Sequence, residues 1–164
     1  METPEGAQVH DDGAALVYLS ALPVVLVSSG FGMSLGGWWA WPGQWPTFGV
    51  GIGLLVVGIA GRWWTHRVLG RFHQAVVTIH RDHRVVTDGP YRVVRHPMYA
   101  ASALALVGTG LALGTVPAFV MLLAGTLPAI VRRIRVEEAA LYEHLGPVYG
   151  RYADGRARLV PGLW

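Results

Sequence analysis

The chain contains no cysteine, which removes disulfide frameworks, thiolate nucleophiles and iron–sulfur clusters from consideration. It contains no lysine either, so all 13 basic residues are arginine. Charge is scarce: 14% of residues are charged and 52% hydrophobic, where a soluble domain carries about 25% charged residues. The charge is also segregated, leaving long stretches with none. That balance argues against an ordinary soluble globule and for a polytopic membrane protein of one domain, residues 1–164. The net charge of +3 comes from arginines that flank apolar runs, which reads as membrane topology rather than nucleic-acid binding. No cleavable signal peptide is expected, because Glu2, Glu5, Asp11 and Asp12 make the start acidic where such peptides are basic.

Residues 1–13 form a polar tail, and 14–33 is the first uncharged run, enough at 1.5 Å per residue to span a ~30 Å hydrocarbon core. Pro23 should kink that helix. Trp38, Trp39, Trp41 and Trp45 follow in an uncharged stretch that suits the interfacial aromatic belt better than a ligand-stacking platform. Residues 47–64 make a second span rich in glycine, a composition that lets helices approach closely. From Met98 to Val131 there is no charge for 34 residues. Gly114-Thr115-Val116-Pro117 is the expected turn, dividing that run into two short spans, 98–113 and 116–131. The expected fold is therefore all-α, with four transmembrane helices.

Arginine placement orients these helices. The loop at 34–46 and the turn at 114–117 have none, whereas 65–97 and 132–164 are arginine-rich. By the positive-inside rule both termini and the 65–97 connection are cytoplasmic. Two ionisable clusters then meet on one membrane face. The first is Asp88-Gly89-Pro90-Tyr91-Arg92-Val93-Val94-Arg95-His96-Pro97-Met98-Tyr99, set against the start of an apolar run. Polar groups at the mouth of a membrane segment cost solvation free energy, so their concentration here calls for a function. Pro97 suits the first position of a helix, whose free N–H groups and positive dipole end would make an anion seat with Arg92, Arg95 and His96. The second cluster is Arg132, Arg133, Arg135, Glu137 and Glu138, with Arg133, Glu137 and Leu141 on one face if the helix continues past the membrane. A solvated helix with ordinary i,i+4 ion pairs is the bland alternative. We expect a cofactor pocket at the cytoplasmic surface, formed by the 85–99 segment and the C-terminal helix.

The run Gly89-Pro90-Tyr91-Arg92-x-x-Arg95-His96-Pro97-x-Tyr99 resembles the signature of the isoprenylcysteine carboxyl methyltransferase family. Glu137-Glu138-x-x-Leu141-x-x-x-x-Gly146-x-x-Tyr149-x-x-Tyr152, followed by Val160-Pro161-Gly162, is similar to that family's C-terminal block. The two motifs cover about residues 70–164, and related phospholipid N-methyltransferases share the pattern more loosely. Ala101 departs from the family, where glycine is common, and its methyl group would narrow a close backbone approach. The resemblance implies a membrane methyltransferase that uses S-adenosyl-L-methionine. Against that cofactor, Arg95 or the helix start at Pro97 suits the carboxylate, and Glu137 or Glu138 suits the ammonium or ribose hydroxyls. Tyr91 and Tyr99 suit the adenine or the sulfonium, since a cation is attracted to an aromatic face.

Methyl transfer asks for in-line placement of a nucleophile, and the sulfonium is already activated. A carboxylate acceptor needs no base, only desolvation and an arginine, Arg92 or Arg133, to hold it. An amine or thiol would need His96 as base, although an orienting role for His96 is the preferred reading. The acceptor is expected to be a lipophilic small molecule or lipid-modified group reached through membrane lipids, with no nucleic acid involved. His80-x-x-His83 has the spacing of a metal pair but is joined by no cysteine and no acidic residue beyond Asp82, the direct neighbour of His83, and no metal site is expected. Gly108-Thr109-Gly110 follows no strand and reads as helix packing. The alternatives are an NADPH-dependent membrane reductase of the sterol or enone type, and a non-catalytic membrane scaffold.

Overall fold

The structure, a computed structural model, describes residues 43–69, 87–162 and 164. The expected span at 14–33, Trp38, Trp39 and Trp41, and the histidines His73, His80 and His83 lie outside the described residues. Among the described residues the fold is helical. Helix α1 runs Gln44–Leu69, α2 Pro97–Ala112, α3 Val116–Leu145 and α4 Pro147–Ala153, with a 3₁₀ turn at Gly89–Arg92 before α2. At 1.5 Å per residue α1 is about 39 Å long and α3 about 45 Å. Both are long and apolar enough to cross a membrane, and α2 is a shorter apolar helix.

Local sequence accounts for the boundaries. Pro97 stands at the first position of α2, where its missing N–H leaves no bond unmade. Gly114 takes a positive φ of 75° between α2 and α3, a conformation that glycine adopts without steric penalty. Gly146, at φ 49°, ends α3, and Pro147 starts α4 directly. The span expected over 116–131 is the first part of a longer helix: α3 continues unbroken through the arginines and glutamates to Leu145, the continuation on which the shared face of Arg133, Glu137 and Leu141 is conditional. The physical reason is that Arg, Ile, Val, Glu, Ala and Leu all tolerate helix, so a change of polarity is not a change of conformation.

Helices α1 and α2 pack backbone to backbone. A Cβ placed on Gly51 would lie 2.6 Å from the Ala112 nitrogen, and one on Gly58 would lie 2.6 Å from the Ala105 nitrogen. Gly108 lies against the Gly51 carbonyl and the Leu54–Leu55 backbone. This is the small-residue contact expected between membrane helices. Ala101 belongs to the same seam: its methyl would sit 3.4 Å from a Cβ on Gly61, so the departure from the family pattern bears on the α1 contact. Away from that seam α1 is apolar and exposed at Val50, Ile52, Val56, Val57 and Ile59, which suits a hydrocarbon environment.

Helix α3 carries a buried row at four-residue spacing: Ala118, Leu122, Thr126, Ile130, Ile134 and Glu138. Five of the six are neutral. The last is a carboxylate, and around it the site is assembled.

Candidate functional site

Two chain segments run side by side at the end of α3. Val94 is buried and bridges Ala157 in parallel. The Arg95 N–H donates to the Ala157 carbonyl at 2.9 Å, and the His96 N–H donates to the Arg158 carbonyl at 3.0 Å. This short pairing fixes the backbone just before α2, and the side chains at 95 and 96 both reach α3.

There they converge on Glu138, which is only 4% exposed. Arg95 Nη1 lies 2.9 Å from Glu138 Oε1, and His96 Nε2 lies 3.2 Å from the same oxygen. Arg158 Nε donates to Oε2 at 2.8 Å. Burial alone would raise the carboxyl pKa, but hydrogen bonds from His96 and Arg158 and the charge of Arg95 outweigh it. Glu138 is held below the usual carboxylate range, ionised near neutrality. Its position lies seven residues beyond the uncharged 116–131 stretch, about 10 Å further along the helix.

A second constellation lies beside the first. Arg133 Nε donates to the Tyr99 hydroxyl at 2.7 Å, and that hydroxyl donates to Glu137 Oε2 at 2.9 Å. Arg133 and Glu137 thus bracket Tyr99 from one face of α3, as their i,i+4 spacing predicted. The His96 and Tyr99 rings sit 5.9 Å apart, joining the two groups.

The rest of the support comes from α4. Tyr149 and Tyr152 form a small core with Ala153, Leu141 and Leu145. Tyr149 meets Tyr142 edge-on at 4.8 Å. The Tyr152 hydroxyl donates to the Tyr91 carbonyl at 3.0 Å, and Arg156 Nε donates to the Arg92 carbonyl at 3.3 Å. Burial, chiefly, pushes the Tyr91, Tyr149 and Tyr152 phenols up, so they remain protonated donors.

Of the residues expected at a site, the structure brings together Arg95, His96 and Glu138, and beside them Tyr99, Arg133 and Glu137. Pro97 is buried at the start of α2. Tyr91 is half-buried in the 3₁₀ turn, and Arg92 is exposed, joining the cluster through its carbonyl. The residue that sequence reasoning missed is Arg158. Its signal was its place two residues before Val160-Pro161-Gly162, within a block already marked by Tyr149 and Tyr152.

The two constellations stand on segments that known proteins share. The family profile described as phospholipid methyltransferase matches residues 46–148, which include Arg95, His96, Glu137 and Glu138. The chain belongs to the phospholipid methyltransferase family. A protein-S-isoprenylcysteine O-methyltransferase of Schizosaccharomyces pombe is 35% identical over 72 residues, covering 44% of this chain and 30% of that relative. The nickel-cobalt-cadmium resistance protein NccN of Alcaligenes xylosoxydans xylosoxydans is 32% identical over 124 residues, 73% of this chain and 55% of the relative. Protein-S-isoprenylcysteine O-methyltransferase A of Arabidopsis thaliana is 29% identical over 127 residues, 72% and 61% respectively. The chain spans between 30% and 61% of the length of these relatives. The motif resemblance noted in the sequence is thereby borne out: this member of the phospholipid methyltransferase family has relatives named for isoprenylcysteine O-methylation.

Proposed function

We propose that this chain is a membrane-embedded methyltransferase that uses S-adenosyl-L-methionine and acts on a lipophilic acceptor, with a carboxylate as the accepting group. The observation that carries this reading is the convergence of two separated motifs, Arg95-His96 and Glu137-Glu138, on one buried carboxylate and one bridging tyrosine.

The residues fit the cofactor. Arg95 Nε is buried and has no hydrogen-bond partner, and a buried donor without an acceptor is costly unless a ligand supplies one. The cluster around Glu138 places two guanidinium groups on one carboxylate, so it carries spare positive charge for the carboxylate of the cofactor's methionine part. Glu137 is the acceptor for the ammonium or a ribose hydroxyl, and the Tyr99 and Tyr91 rings suit the sulfonium or adenine. When bound, S-adenosyl-L-methionine supplies an activated methyl group on a positively charged sulfur.

The protein's own contribution is positioning. His96 is aimed by Glu138, as the orienting role preferred for it requires. Arg133, which donates to Tyr99, and Arg92, exposed within the 3₁₀ turn, are the arginines assigned to hold an anionic acceptor. Four membrane spans, with both termini and the pocket on the cytoplasmic side, complete the reading. The arginine distribution and the two long apolar helices support it, and the exposed apolar face of α1 suits an acceptor arriving through lipid.

Calorimetric titration of the detergent-purified chain with S-adenosylhomocysteine, and separately with NADPH, tests the donor. Binding of the first alone is expected. Binding of NADPH alone would move the protein to the reductases, and binding of neither would favour a scaffold.

A further inference from the structure

We propose that Arg158 is a positioning residue that holds Glu138 Oε2 from the C-terminal segment and so fixes the carboxylate that aims His96 and Arg95. The inference rests on the cofactor site proposed above and adds to it a residue outside both motif pairs.

The geometry is a closed ring. The His96 ring nitrogen Nε2 meets Glu138 Oε1 at 3.2 Å, and Glu138 Oε2 accepts from Arg158 Nε at 2.8 Å. The Arg158 carbonyl in turn accepts the His96 N–H at 3.0 Å. His96 is therefore held at both ends, backbone and ring, by Arg158 or by the carboxylate that Arg158 grips. Arg95 is held in parallel fashion, through the Ala157 carbonyl and Glu138 Oε1. The two carboxylate oxygens are not equivalent: Oε1 serves the motif, and Oε2 is anchored by Arg158. Without that anchor the carboxylate can rotate about its terminal bond and carry the imidazole with it. Functional groups need support of this kind to stay within fractions of an ångström of a productive geometry.

Arg158 is itself fixed. Its N–H donates to the Trp164 carbonyl at 2.8 Å, and its guanidinium lies 5.2 Å from the Trp164 ring centre. Its side chain is 34% exposed against 6% for Glu138, so its removal leaves a group that water can partly replace rather than a collapsed core. A change at 158 that spares the backbone pairing should therefore loosen the site without unfolding the chain. The groups that act on Glu138 are Arg95, His96 and Arg158, with Tyr149 of α4 as a further titratable neighbour and Glu137 beside it on α3.

The experiment compares wild type, Arg158→Gln and Arg158→Lys in detergent by two readouts. One is S-adenosylhomocysteine affinity between about pH 3 and 8, a range that includes the depressed titration of Glu138. The other is the ¹⁵N shift of the His96 ring in ligand-free, histidine-labelled protein, assigned with a His96 variant. Arg158→Gln should bind at least about fivefold more weakly, which is the low end for loss of a charged hydrogen bond once exposure is discounted. The acid limb of binding should move to higher pH, because Glu138 loses one cation that keeps it ionised. The His96 shift should change without ligand, and Arg158→Lys should restore most of each effect. Unchanged affinity, pH limb and His96 shift in Arg158→Gln would overturn the proposal, as would a lower melting temperature with those three unaltered. If wild type binds no S-adenosylhomocysteine, the cofactor reading fails, and the His96 shift still decides whether Arg158 positions the imidazole.

Discussion

Replacing Glu138 by glutamine should destabilise the protein more than any other isosteric change at the site. The side chain is 6% exposed and faces Arg95, itself 13% exposed, and His96 at 4%. Glutamine keeps the shape and one acceptor oxygen but removes the charge that compensates a buried guanidinium. Breaking a buried ion pair from one side costs about 3–5 kcal/mol. Arg158, a third exposed, can turn to water and adds little, so the lower end of about 3 kcal/mol is expected. For a chain of this size that corresponds to a fall in melting temperature of about 6–12 °C. Scanning fluorimetry in detergent measures it. A second substitution separates charge from shape: in the Glu138→Gln background, Arg95→Met removes the stranded cation and should restore part of the loss. The same Arg95→Met in wild type strands Glu138 and should be harmful. The cycle therefore predicts a coupling of at least about 1 kcal/mol. A melting temperature within about 2 °C of wild type for Glu138→Gln, or additive effects of the two substitutions, would refute the reasoning.

Further outcomes follow from individual contacts. Gly58→Ala should lower the melting temperature, because the new methyl would meet the Ala105 nitrogen at 2.6 Å and the Ala101 carbonyl at 2.8 Å, and backbone cannot yield as a side chain does. Gly53→Ala on the same helix, with nothing within 4 Å, should be neutral or raise it by up to the ~1 kcal/mol helix-propensity difference; equal effects of the two would reject the close-packed seam. Tyr99→Phe removes the hydroxyl between Arg133 and Glu137 and should cost about 1–3 kcal/mol, with weaker S-adenosylhomocysteine binding by calorimetry. An unchanged affinity and melting point would take Tyr99 out of the site. The pH dependence follows from Glu138, whose folded pKa is depressed. Its stabilising contribution is full above the unfolded value of about 4.3 and is lost as pH falls through the folded value. Melting temperature should drop on acidification below about pH 4.3 in wild type and less steeply in Glu138→Gln; parallel curves would assign the acid transition elsewhere.

Much of the fold was legible because it is written in one-dimensional signals. An uncharged run, a proline at its start, and a Gly-Pro pair beyond the arginines and glutamates that follow it are local features, and Pro97, Gly146 and Pro147 act where such residues should. The face shared by Arg133 and Glu137 follows from helical periodicity alone. The apolar run by itself does not mark where α3 ends, because it carries only hydropathy. Hydropathy reports the surroundings of a helix, and only Gly146 reports its end.

The site was half legible for a related reason. Arg95 was assigned to an external carboxylate, and Glu138 to an external ammonium or hydroxyl, because a sequence shows each charge without its partner. In the folded chain the two meet each other, 2.9 Å apart. That does not dissolve the site. In the proposed reading it separates roles: Glu138, enclosed by Arg95, His96 and Arg158, aims the motif, whereas Glu137 and the unpartnered Arg95 Nε are the groups proposed to meet a ligand. Sequence spacing puts the adjacent glutamates on different faces, about 100° apart on a helix, but does not name the groups that each one meets. The groups that enclose Glu138 are Arg95, His96 and Arg158, and no periodicity links them to it. The contrast is measurable in a single pair of variants. Glu137→Gln should weaken ligand binding and leave the melting temperature nearly unchanged, because the Tyr99 hydroxyl can still donate to an amide oxygen. Glu138→Gln should lower the melting temperature first, so a reversed pattern would exchange the roles of the two glutamates.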